Sequence, residues 1–339
     1  MTTPIRMLAV GVTPLETRHD VVLHLADRAE ALGYDTFLLA EGWSHDAGAL
    51  LGAIAARTRR IRIGTGVLNV WGRSPAAVAM LAGSLDALSD GRFVLGLGAG
   101  SPQLAEGLHD QPFTAPVARL EAVTRQVRTL LAGGRATPSR ASETRPLRLA
   151  SEPRPDIPVH LAALGPAAVR LTGRIADGWY PFLLPRSGLT ARLDHLRRGA
   201  EVAGRPVPLV SPGLPAAVAA DPATARAVAA WWVTTYLTGM GPVYPRSLRG
   251  LGLGPAVDAV IAANPTRGGT EVPPAAEVLL DELTIRGDAR SARTALDAWY
   301  GAGAELPVVV LPPGRPVAEL NYALEALSPA DQREWRVAA

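Results

Sequence analysis

The chain's most concentrated set of reactive side chains is the run Glu41-Gly42-Trp43-Ser44-His45-Asp46, which gathers two carboxylates, an indole, a hydroxyl and an imidazole within six residues. Carboxylates and imidazoles are common proton carriers in catalysis, so Glu41 and His45 are candidate acid–base groups. Asp46 stands directly before an apolar helical pattern and reads equally well as a helix cap. Three other segments offer backbone rather than side chains. Gly64-Thr65-Gly66 presents main chain that a flat ring can approach closely, or simply a tight strand exit. Gly96-Leu97-Gly98-Ala99-Gly100-Ser101-Pro102 is similar to a dinucleotide fingerprint but has Ser101 where the last glycine belongs, and it lies in mid-chain. Leu164-Gly165-Pro166 opens a helix whose first amides suit a phosphate, with Arg170 and Arg174 nearby, or it is an ordinary proline-started helix.

What the chain lacks narrows the chemistry further. It has no cysteine, and all 34 of its Lys+Arg residues are arginine. Disulfides, thiolate metal sites, cysteine nucleophiles, lysine Schiff bases and a Walker lysine are therefore excluded, and redox work needs a bound cofactor. The six histidines, His19, His24, His45, His109, His160 and His195, show no metal-ligand spacing, so no metal is expected. The absence of a G-x-S-x-G elbow makes a serine hydrolase a distant second. The sequence pI near 9.6 beside a formal charge of only +3 reflects arginine's high pKa, and the charges are scattered, so no nucleic-acid partner is expected. Hydrophobic residues make up 48% of the chain, mean hydropathy is +0.14, and the apolar runs stop well short of membrane-spanning length. Met1 to Met7 lacks the features of a secretory signal, and a cytoplasmic protein is expected.

These groups need a frame, and periodicity supplies one. Strand-like runs at Met7–Val12, Thr36–Ala40, Ile61–Val67 and Phe93–Leu97 alternate with helical patterns through Val21–Leu32, Ala47–Ala56, Pro75–Leu88 and Val117–Leu131. Residues 133 to 157 interrupt the alternation, either as a linker or, preferably, as an excursion within one domain. The rhythm resumes with strands at Val159–Ala163 and Trp179–Leu183, a strand within Val207–Val218 and a last strand at Leu306–Leu311. Helices are expected at Ala167–Ile175, Leu189–Ala203, Ala223–Leu237, around Ala275–Asp281 and at Ala289–Tyr300. A Gly- and Pro-rich stretch, Gly239 to Gly269, contains one short helical piece. Strands that are apolar throughout belong to a parallel sheet covered by helices, and about eight of them suit a closed barrel, with an open doubly wound sheet as the alternative. In such a barrel the active site gathers at the C-terminal strand ends, where every segment named above falls. Trp43, Trp71, Trp179 and Tyr180 are candidate lining for a ring-containing or lipophilic small molecule.

Read together, Ala40-Glu41-Gly42-Trp43 with Asp46, the runs Ala56 to Gly66 and Leu88 to Gly98, Arg73-Ser74-Pro75, Ala105-Glu106-Gly107 near Gln111-Pro112-Phe113, and Ala176-Asp177-Gly178-Trp179 resemble the luciferase-like monooxygenase superfamily. The resemblance is strongest to its deazaflavin (coenzyme F420) branch of oxidoreductases, which includes methylenetetrahydromethanopterin reductase. It implies a single α/β domain over residues 1–339, a (β/α)8 TIM barrel with an insertion before the last strand, hydride transfer between F420 and a small organic substrate, and a homodimer. By position it places Gly64, Thr65 and Gly66 against the cofactor ring beside a non-proline cis peptide. Gly98, Ala99, Gly100 and Ser101 would flank the ring, and Leu164, Gly165, Pro166 and Arg170 would meet the phosphate. Glu41 and Glu106 would face the substrate, where burial can turn a carboxyl into a proton donor, with His45 as the other candidate. Having no lysine, the chain would answer the cofactor's acidic tail with Arg170, Arg174, Arg286 or Arg290. The same barrel also hosts FMN-dependent monooxygenases served by a partner flavin reductase, and a barrel that has lost its cofactor is the remaining reading.

Overall fold

A computed structural model describes residues 6–137, 144–266 and 268–329. The readings of residues 1–5, of 138–143 within the excursion and of 267 lie outside the described residues. Eleven parallel strands run as β1 Ala9–Val12, β2 Thr36–Leu39, β3 Arg62–Thr65, β4 Leu68–Asn69, β5 Phe93–Gly98, β6 Val159–Ala162, β7 Gly178–Trp179, β8 Leu209–Val210, β9 Gly213–Val218, β10 Ile285–Gly287 and β11 Val308–Leu311. Their order is β10-β9-β11-β1-β2-β3-β5-β6-β7-β8, with β4 also paired to β5. The ring closes because β8, beside β7, and β9, beside β11, are consecutive pieces of chain. Pro212 lies between them and offers no amide to a ladder. A further bridge, Phe182 to Gly213, spans the same seam. Counting β3 with β4 and β8 with β9 as single staves leaves eight around the barrel, and β10 lies outside the ring on β9.

The helices are α1 His19–Ala31, α2 Ala47–Arg57, α3 Pro75–Leu88, α4 Pro102–Ala105, α5 Pro116–Leu131, α6 Pro166–Ile175, α7 Arg186–Val202, α8 Pro222–Thr238, α9 Val243–Leu248, α10 Gly254–Ala263, α11 Glu277–Leu283, α12 Ala289–Gly301 and α13 Val317–Ala326. Strand alternation sorts the core into two bodies. Val10, Phe37, Ile63, Leu95, Leu97, Leu161 and Trp179 point outward to the helices. Ala9, Leu38, Tyr180, Val308 and Val310 point into the lumen, where they are continuous with the buried faces of α8, α10 and α11. The insertion is therefore a cap rather than an appendage. Trp232 of α8 donates from Nε1 to the Ala216 carbonyl of β9 at 3.0 Å. Beyond the far end of α8, a β-carbon on Gly241 would stand 3.4 Å from the Gln103 side chain, beside α4 on the β5 side of the barrel.

Several boundaries differ from expectation for local reasons. The expected Ile61–Val67 strand breaks at a cis Gly66–Val67 peptide into β3 and β4. The expected Trp179–Leu183 strand shortens to two residues, and Leu183 has a φ of 53°. The single helical piece in the insertion is two helices, α9 and α10, joined by a wide turn at Gly252, φ 88°. The excursion folds back on the barrel, where Arg154 donates to Asp86 Oδ2 of α3 at 2.7 Å and its amide to the Leu131 carbonyl.

The opposite end of the barrel is tied by half-buried carboxylates. Asp177 accepts from the Val159 amide, Arg128 and Arg205, and Glu30 accepts the amides of Arg59, Arg60 and Ile61. Nearby in the lumen, His160 packs where a β-carbon on Gly178 would touch its ring. Burial pushes its pKa from 6.5 down to about 4, against the pull of Asp177 and with a small push from Arg62. A histidine depressed in the folded state takes up its proton in the unfolded state first, so stability should fall as pH drops from 6.5 toward 4. The slope approaches about 1.4 kcal/mol per pH unit for one proton. Urea denaturation across this window should show a flatter pH dependence for His160→Gln than for the native protein. Parallel curves would contradict the assignment.

Candidate functional site at the barrel mouth

The centre of the mouth is shaped by one departure from regular pairing. β3 and β5 pair at Ile63–Phe93 and Gly64–Val94. Thr65 then substitutes its hydroxyl for the ladder, accepting from the Gly96 amide and donating to the Gly96 carbonyl, both at 2.8 Å. Past the cis peptide the chain steps into the lumen, and Val67 covers Gly96 and Gly98, whose absent β-carbons would lie 3.0 and 2.8 Å from its methyls. Pairing resumes with Leu68 and Asn69 on β5. Asn69, 5% exposed, accepts the Trp71 and Gly72 amides on Oδ1 at 3.0 and 2.8 Å, and its amide nitrogen lies 3.3 Å from His109 Nε2.

This geometry revises the roles expected of the glycine segments. A β-carbon on Gly64 would meet the Val94 carbonyl oxygen at 2.5 Å, and one on Gly66 would press on Leu38. The lateral space at these two positions is filled by the protein's own strands, and the Thr65 hydroxyl is spent on Gly96. Ala99 accepts from Trp71 Nε1 at 2.7 Å, Gly100 (φ 66°) faces Asn69 and Trp71, and Ser101 caps α4. Leu164 is partly buried, Gly165 and Pro166 are exposed, and α6 begins there with no side-chain cap. Arg170, one turn further along, turns to His195 Nδ1 of α7 at 3.2 Å.

Arg174 sits two turns from the helix start, about 12 Å at 1.5 Å per residue, and pairs with Glu121. Arg286 pairs with Asp281 and Glu277.

The acidic loop after β2 is brought together but occupied. Glu41 accepts the Ala47 amide on Oε2 at 2.9 Å and the Arg73 guanidinium on Oε1. Arg73 also reaches Asp46, which caps α2 through the Ala49 amide. With one oxygen on the Ala47 amide at the start of α2 and the other on Arg73 just ahead of α3, Glu41 is built as an acceptor that fixes the loop. Glu106 is exposed and accepts the Phe113 amide at 3.0 Å. His45 lies against Ser44 at 3.1 Å and His19, and its Nε2 is buried without a hydrogen bond. Burial lowers its pKa, and His19 adds to the effect. The Ala40 carbonyl, Glu41 and Asp46 oppose it.

The tryptophans separate. Trp43 is 55% exposed at the rim. Trp71 packs on Phe113 with Arg119 over its ring. Trp179 is fully buried in the outer core and donates to the Ala163 carbonyl. The expectation that Trp179 lines the substrate face is corrected, because on β7 its neighbours Gly178 and Tyr180 point inward and it points to the helices. Arg73, Asn69, Tyr236 and Tyr244 were not singled out as site residues. Asn69 could have been suspected as a polar residue within an apolar run, whereas the tyrosines lie in a segment whose position over the mouth only the fold reveals.

Fold and site together define a parallel β/α barrel with a bulged stave and a roofed mouth. The chain belongs to the luciferase-like monooxygenase family, whose model matches residues 7–306. It is 33% identical over 323 residues, 87% of this chain and 92% of the relative, to a Mycobacterium tuberculosis protein provisionally named a coenzyme F420-dependent oxidoreductase. It is also 34% identical to the F420-dependent glucose-6-phosphate dehydrogenase of Nakamurella multipartita over 196 residues, spanning 58% of that protein. Among solved structures, the coenzyme F420-dependent tetrahydromethanopterin reductase of Methanopyrus kandleri shares the fold with a TM-score of 0.79 at 20% identity, covering 96% of this chain and 98% of that one. The FMN-bound type II Baeyer-Villiger monooxygenase of Pseudomonas putida shares it at 0.72 and 16%, covering 95% and 97%.

Two substitutions separate glycines needed for packing from glycines left open. A β-carbon on Gly96 would stand 2.0 Å from the Thr65 carbonyl oxygen, whereas one on Gly165 meets nothing within 4 Å. Gly96→Ala should destabilise the fold by about 2 kcal/mol or more, as overpacking does, and Gly165→Ala should melt with the native protein. Equal melting temperatures for all three would contradict this distinction.

Proposed function

We propose that the chain is an F420-dependent oxidoreductase moving hydride between the deazaflavin and a small organic substrate. The observation that carries the reading is the inward step at Val67. With Leu38 and Ala162 it offers an apolar seat in the lumen, while the uncapped start of α6 leaves exposed amides for a phosphate. The residues present fit such a cofactor: Val67 and the Ala99–Ser101 backbone would hold the ring system, and Gly165 with the Ala167 and Ala168 amides beyond Pro166 would hold the phosphate. When bound, the deazaflavin supplies two-electron hydride chemistry. The chain's own residues orient the reactants and keep water away. Glu41, tied to Arg73 and α2, positions the loop beside the bulge, where its amide donates to the Val67 carbonyl at 3.2 Å. His45, beside Ser44 and His19 next to this loop, is the candidate for proton exchange.

The family name and the FMN-bound structural relative favour a second reading, a monooxygenase using reduced FMN from a partner reductase. We further read the chain as one folded unit working as a cytoplasmic homodimer on a small molecule. Among the described residues no helix is long and apolar enough to cross a membrane.

Fluorescence titration of purified protein should show saturable F420 binding at least ten-fold tighter than FMN binding. Tighter FMN binding together with oxygen consumption on adding reduced FMN would establish the second reading. Binding of neither by folded protein would overturn both.

A further inference from the structure

The roof of the mouth carries three tyrosines whose hydroxyls make no hydrogen bond among the described residues. Tyr180 rises from the strand rim after β7, and Tyr236 and Tyr244 come from α8 and α9 of the cap. Tyr180 is 6% exposed and Tyr236 7%. The rings of Tyr236 and Tyr244 meet edge to face at 5.2 Å, and Phe182 lies 5.0 Å from Tyr236 and 6.2 Å from Tyr244. The Tyr180 hydroxyl enters the space left by two glycines, 3.6 Å from a would-be β-carbon on Gly11 and 3.1 Å from one on Gly213. Tyr34 and Tyr300 donate to the carbonyls of Leu324 and Met7. The three mouth phenols have no hydrogen bond among the described residues, yet they lie near enough for Tyr244 to bear on the ionisation of the other two. Tyr244 is half-buried, and none of the three hydroxyls is among the side-chain atoms sealed from solvent without a partner, so each is open to donate to a ligand in the mouth.

We propose that Tyr180, Tyr236 and Tyr244 form the substrate subsite between barrel rim and cap, donating hydrogen bonds to the oxygen of a neutral carbonyl compound held against the half-buried Phe182. Burial pushes all three phenols well above their ordinary range, so they remain donors throughout the physiological pH span. Neutral donors on an aromatic wall suit a carbonyl better than a carboxylate, whose buried charge would lack a counterion. The subsite stands on the tyrosines alone, while its use in reduction rests on the proposed F420 chemistry. In that step hydride from reduced deazaflavin forms a C–H bond at the carbonyl carbon and the C=O π pair moves to oxygen. The oxygen takes a proton through the phenol network, which solvent replenishes, and an alcohol results. Phenol donors placed on that oxygen would stabilise the charge that develops there.

Quenching of intrinsic tryptophan fluorescence, with Trp231 and Trp232 beside the cluster, reads binding without cofactor. The probes are 4-nitroacetophenone, the carbonyl-free 4-nitroethylbenzene and the anionic 4-nitrobenzoate. The native protein should bind the ketone at least five-fold tighter than either control. Tyr180→Phe and Tyr236→Phe should each cut that preference about three- to ten-fold, with melting temperature unchanged or raised and F420 affinity unchanged. A preference for nitrobenzoate, equal binding of ketone and hydrocarbon, no saturable binding, or a lowered melting temperature in both variants would overturn the subsite. Loss of F420 binding by the native protein would instead strike the proposed function and leave the ketone preference standing.

Discussion

Between Thr65 and Gly96 two parallel strands approach so closely that a β-carbon on residue 96 would stand 2.0 Å from the Thr65 carbonyl oxygen. The Thr65 hydroxyl meets both backbone groups of Gly96, so the main chain can leave the ladder there without abandoning a buried donor and acceptor. Freed from pairing, the chain turns inward and lays Val67 over Gly96 and Gly98. The Glu41 amide then finds the Val67 carbonyl, Glu41 finds Arg73, and Arg73 finds Asp46 at the start of α2. The two neighbouring loops of the mouth are thus fastened to the same bulge.

The cap completes what the bulge begins. Luminal side chains and the inner faces of α8, α10 and α11 form one apolar body, so the roof is held by the same burial that fills the barrel. Its polar atoms are the exception. Leu183, at a φ of 53° beside Phe182, is an uncommon conformation for a branched residue, and it lies where rim and cap meet. Phenol hydroxyls left open to the mouth and an unusual backbone in one place are the kind of local feature that folding alone does not select and that ligand binding does.

The barrel was legible because apolar strand runs and helical periods alternate along the chain, and because parallel strands covered on the outside read as continuous hydrophobic runs. The mouth was legible in location, since every segment singled out lies at or just beyond the C-terminal end of a strand, but less so in role. Gly64 and Gly66 look like room for a ring, yet a glycine's missing side chain does not say which neighbour uses the space. Glu41 looks like an acid until the fold supplies Arg73 and the Ala47 amide. Trp179 points away from the lumen because alternation along β7 turns its neighbours Gly178 and Tyr180 inward. Tyr236 and Tyr244 carry no local signal, because only the crossing of α8 over the barrel brings them to Tyr180.

The central claim is that the inward step at Val67 and the open start of α6 together hold one deazaflavin cofactor. A crystal structure of the protein soaked or grown with oxidised F420 tests it directly. The account predicts the deazaflavin ring in van der Waals contact with Val67 and the phosphate on the amides following Gly165. A ring bound elsewhere in well-ordered density, or a phosphate held away from α6, would contradict it.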